Sequence, residues 1–99
     1  MFNELPIRAK REMVGDIVEI IHYLHLGDKM NCDRYVEDLK ARCSILDEQV
    51  QQDVLIFVEQ VQFQYAYDPW HKVTPEIEAA ADRLIEDLGF FNFQRKHLE

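Results

Sequence analysis

Glu19, His22 and His25 stand three residues apart, and a glutamate three residues before a histidine is a ligand unit of di-iron helical bundles. Residues at that spacing project to the same side of a helix, so all three could line one flank. A complete site needs two such units and two further glutamates. One chain supplies a single unit, and only a homodimer would double it. His25 also falls within an apolar arc beside Val14 and Val18, with His22 at its rim. A packed or partly exposed histidine pair is therefore the simpler expectation, and no metal or other cofactor is expected.

Catalytic chemistry finds less to use. Ser44 is the only serine and sits where a helix cap belongs, in a Ser44-Ile-Leu-Asp47 capping box in which Asp47 is the alternative cap. No nucleophile elbow, glycine-rich phosphate loop or zinc-protease motif is present. Cys43 lies on a core stripe, which predicts an inert thiol. Cys32 and Cys43 flank a helical pattern that would hold them about 16 Å apart, beyond the roughly 7 Å reach of a disulfide. No CxxC or CxxH spacing suggests zinc. The chain is thus expected to be non-catalytic.

Two other groupings suit recognition. Trp70, His71 and Lys72 lie in the stretch YAYDPWHKVTPE. There Trp70 would either close the end of the core or anchor a partner. Glu78, Asp82 and Glu86 recur every four residues, a ridge of like charge that costs the helix ~0.2–0.5 kcal/mol per neighbouring pair.

The net charge of −8 is concentrated around that ridge. Residues 44–89 hold ten acidic groups against Lys72 and Arg83, whereas residues 28–43 balance. Nonspecific phosphate binding needs clustered lysine and arginine, so direct nucleic-acid binding is not expected. A sustained acidic face instead steers association with a basic protein surface. Its sharper form would be an inhibitor of the phage or mobile-element type that imitates nucleic-acid phosphates.

The elements that must position these groups are helical. At 99 residues the chain makes one domain with one modest core. Glycine and proline are scarce, and charges appear within the first four residues. No apolar run approaches the roughly 20 residues that span a bilayer, so a cytoplasmic protein without membrane contact is expected.

Hydrophobic periodicity predicts four helices, over 5–26, 33–43, 47–66 and 75–88. Gly27 and Gly89 fit left-handed positions just past helix ends, and Thr74-Pro75 reads as cap and first turn. Gly15, beside the apolar face of the first helix, suggests close approach of another helix. In the third helix Val50, Val54, Phe57, Val58, Val61 and Tyr65 form one stripe, with Ile56 and Phe63 nearly opposite. Apolar residues on two sides imply burial on two sides. The expectation is an all-α, four-helix bundle-like domain with an aromatic C-terminal tail. A homodimer joined through Ile56, Phe63, Phe90, Phe91 and Phe93 would cover the second stripe.

Overall fold

The chain is all-α. Its structure, a computed structural model, describes residues 4–67 and 73–90. Four helices follow one another: α1 (Glu4–Leu26), α2 (Lys29–Cys43), α3 (Glu48–Tyr67) and α4 (Pro75–Asp87). Among the described residues there is no strand. Short connections, 27–28 and 44–47, join α1 to α2 and α2 to α3. α1 packs along α2 and α3 along α4, and a lesser α2–α3 contact joins the two pairs.

The helix ends explain where the chain turns. Gly27 has φ 70; its N–H donates to the Leu24 carbonyl at 3.1 Å, and the Asp28 N–H donates to Tyr23 at 2.9 Å. These two bonds satisfy carbonyls that the end of α1 would leave orphaned. Asp28 then caps α2, its Oδ1 accepting from the Asn31 N–H at 3.2 Å and its Oδ2 from Asn31 Nδ2 at 2.7 Å. The second helix therefore begins at Lys29, four residues before the expected start. Its first turn carries exposed Lys29 and Met30, which hide it from an apolar-stripe reading.

Asp47, not Ser44, opens α3: Asp47 Oδ1 accepts from the Val50 N–H at 3.0 Å. The Ser44 hydroxyl instead donates to the Ala41 carbonyl at 2.8 Å, closing α2. At α4 the Thr74 hydroxyl accepts from the Ile77 N–H at 3.2 Å with Pro75 following. The far end repeats the α1 closure. Gly89, at φ 93, donates to Glu86 at 2.8 Å, and Phe90 donates to Ile85 at 3.2 Å.

One continuous core runs through all four helices, with Met13, Ile17, Leu39, Phe57, Ile77 and Leu84 among its fully buried members. Truncating a ring as enclosed as Phe57 to alanine costs about 3–5 kcal/mol. Cys32 and Cys43 are free and buried. Gly15 does not mark a helix crossing: it is exposed, and a Cβ there would meet nothing within 4 Å.

Polar groups reinforce the seams. Arg42 of α2 donates from Nε to Glu12 at 2.9 Å and from Nη1 to Asp16 at 2.5 Å, tying α2 to α1. Tyr23 and Tyr35 stack across the same seam with ring centroids 5.8 Å apart.

Candidate functional site

On α1, Glu19 is half-buried and both His22 and His25 are exposed. A three-residue step falls about 60° short of a full turn, so the first and third of these residues diverge by about 120° around the helix. That drift keeps the three side chains from sharing one flank, so the weaker candidate, a metal-binding flank, is not formed by them. Among the described residues no three His, Cys, Asp or Glu side chains come together to hold a metal. His22 makes an edge contact with the Tyr23 ring, centroids 5.2 Å apart.

The thiols are ill placed for nucleophilic chemistry. Burial pushes the Cys32 thiol up to about 11, and its Sγ donates to the Ile20 carbonyl at 3.7 Å. Burial also raises Cys43, whose Sγ donates to the Lys40 carbonyl at 3.2 Å. Both therefore stay protonated near neutral pH, and only the thiolate attacks.

A cleft of about 480 Å³ opens between α2 and α3, its walls including Lys29, Lys40, Gln62 and Tyr65. Its ions pair locally, Lys29 with Asp33 at 2.5 Å and Lys40 with Glu37 at 3.3 Å. The walls thus carry no unbalanced charge. Tyr65 is buried beneath, its phenol raised by burial and by the neighbouring Cys32, and the Lys29 ammonium lies 6.0 Å from its ring centroid.

By composition α4 is acidic, with five carboxylates to one arginine between Pro75 and Asp87. Glu76 and Glu78 occupy the first turn, where carboxylates face the positive end of the helix dipole. Asp82, Glu86 and Asp87 continue along the exposed surface. The core stripe of Ile77, Ala81, Leu84 and Ile85 fixes which way they point. Arg83 is directed to α3, its Nε 4.0 Å from Asp53. Glu78 and Asp82 lie about 100° or more further round the helix, on a different flank from Arg83. The three ridge residues Glu78, Asp82 and Glu86 are all exposed and share one continuous strip of the α4 surface.

Asp53 itself has no counterpart among the sequence candidates. Only 4% of it is exposed, and Gln49 Nε2 donates to its Oδ1 at 3.2 Å. Its Oδ2 accepts no hydrogen bond. An aspartate placed between Gln52 and Val54 gives no periodic warning, because it sits at the edge of the core stripe rather than on the polar face.

The outer face of α3 is the reverse of α4. Ile56, Phe63 and Tyr67 are 50%, 61% and 79% exposed, and the Phe63 and Tyr67 rings stack with centroids 5.3 Å apart. Two-sided apolarity in this helix therefore does not mean two-sided burial within the described chain. Phe90, expected to share that face, packs instead against the core of its own chain. Trp70, His71 and Lys72 lie outside the described residues, as do Phe91 and Phe93. No helix among the described residues is long and apolar enough to cross a membrane. Compared with known proteins, the chain matches no family model, no curated protein and no solved structure.

Proposed function

We propose that this protein is a small, non-catalytic binder that acts by docking on a basic surface of another protein, as a homodimer. The observation that carries the reading is the excess of exposed carboxylates along α4. Glu76, Glu78, Asp82, Glu86 and Asp87 are exposed along its surface, while Arg83 is directed to α3. Clustered like charge raises the local concentration of an oppositely charged partner and speeds encounter, at a small cost in helix stability. Regulation or inhibition of the partner by occlusion is the corresponding mode of action, and it needs no reacting group.

The test is charge reversal on three exposed residues of α4, with thermal melting as the control on folding. The wild-type chain and the triple variant E78K/D82K/E86K are each used to capture partners from the native cell extract, with quantitative mass spectrometry. A basic protein retained by the wild type and lost by the variant is the expected result. Equal retention by both would overturn the assignment of this surface.

A further inference from the structure

The second face of α3 has a chemistry that sets it apart from the rest of the molecule. Gln49, Gln52, Ile56, Gln60, Phe63 and Tyr67 recur at steps of three and four and are all exposed. They form one strip about 27 Å long. None of the six is charged, although 30% of the chain is charged and its net charge is −8. The outward positions of α4, by contrast, are mostly carboxylates. Depletion of charge around aromatic residues is the compositional mark of an interface core.

We propose that this strip is a self-association surface on which α3 of a second copy packs antiparallel about a two-fold axis. The inference rests on the reading of the protein as a binding module and specifies how two copies meet. Charge decides the occupant. Two molecules at −8 repel each other across most of their surfaces and can approach closely only through a neutral face. A basic partner, in contrast, is drawn to α4 and gains nothing electrostatically from glutamines.

Area agrees with that choice. An aromatic side chain carries roughly 150–250 Å², so the exposed parts of Phe63 and Tyr67 leave on the order of 300 Å² of ring surface in water. Half-exposed Ile56 extends the patch to the size that marks interaction sites on monomers. The glutamines supply the polar rim, and the whole strip approaches the ~800 Å² per partner of a stable interface.

Antiparallel register follows from the same residues. Ile56 faces Phe63 of the second copy and Gln52 faces its Tyr67, each contact occurring twice by symmetry. Glu59, at the edge of the strip, then meets Gln60 of the other copy; parallel pairing would instead oppose Glu59 to itself. Phe90 has no part in this interface because it packs on its own core.

Sedimentation equilibrium across micromolar to millimolar concentration tests the proposal. Wild type, F63E and, as a control on the acidic face, E86K are compared, with thermal melting of each. The wild-type mass should rise from 11.8 kDa toward twice that value, and further at higher salt as repulsion is screened. F63E should weaken the dimer roughly tenfold or more while melting like the wild type at concentrations where both are monomeric, and E86K should dimerise at least as well as the wild type. A wild type that stays monomeric, or an F63E chain that pairs as well as the wild type, would overturn the α3 interface. Loss of dimer with rising salt would also overturn it. Capture of a basic partner weakens with salt instead, so the two readings fail independently.

Discussion

Arg42 and Asp16 are unequal partners in their pair. Asp16 is buried, and desolvation raises its pKa above 3.8 even though the Arg42 guanidinium and its hydrogen bond pull the other way. Removing Arg42 leaves that carboxylate without its counter-charge, and breaking a buried pair in this way is the costly direction. Because Arg42 is itself a third exposed, R42A should cost about 2 kcal/mol at pH 7. D16N keeps the shape and a hydrogen-bond acceptor while removing the desolvated charge, so it should cost less than about 1 kcal/mol. The pH dependence has a definite sign. Between 3.8 and the raised value the folded state holds more protons than the unfolded one, so this group's contribution to stability falls as pH rises through that window. The R42A deficit should therefore shrink on acidification as Asp16 protonates. Urea unfolding of both variants at neutral and acid pH measures this; a larger deficit in acid would contradict it. The thiols give a second residue-scale expectation. Burial raises both, so a disulfide reagent should modify Cys32 and Cys43 slowly at neutral pH and fully only after denaturation. Rapid native labelling would show an opening of the core. None of these pairings is written in the sequence, because Asp16 and Arg42 meet through tertiary packing across 26 positions. Cys43 was legible, since an apolar stripe passes through it.

Two glycines should respond in opposite ways when replaced by alanine. Gly15 lies inside α1 with open space around it, so G15A should stabilise by about 0.5–1 kcal/mol through helix propensity. Gly89 sits at φ 93, where an L side chain is strained, so G89A should destabilise by about 1 kcal/mol or more. For a domain of this size each kcal/mol moves the melting temperature by roughly 4–8 °C. Paired thermal melts should therefore separate to either side of the wild type; shifts of the same sign would contradict the backbone argument. At this scale the sequence was informative wherever a local signal ended a helix. Thr74-Pro75 and Gly89 marked α4 almost residue by residue, because caps and left-handed turns depend on neighbours in the chain. α2 was misread at its start because Asp28 serves one residue after Gly27 closes α1, leaving no gap between the two signals. The burial of α3 was not legible either. Periodicity registers an apolar residue equally whether it meets a core, a second copy or water, and only packing distinguishes Phe57 from Phe63.

For the molecule as a whole, the four helices divide the surface by charge. α4 gathers carboxylates outward, α3 offers an uncharged strip, and the charges lining the cleft between α2 and α3 pair with one another along α2. Under the proposed reading, this separation would let one small chain pair with itself through α3 and dock a basic partner through α4. Charge totals along the chain showed half of this arrangement. The orientation of Arg83 toward Asp53, which separates its flank from the Glu78–Asp82 flank, needed the α3–α4 packing. Electrostatic steering acts on the rate of encounter and is screened by salt. The most direct measurement is therefore the association rate of the captured partner, for wild type and E78K/D82K/E86K, over a series of salt concentrations. The wild-type rate should fall steeply with salt, and the variant should start lower and vary little. A wild-type rate that is insensitive to salt, or is matched by the variant at low salt, would contradict the acidic face of α4 as the docking surface.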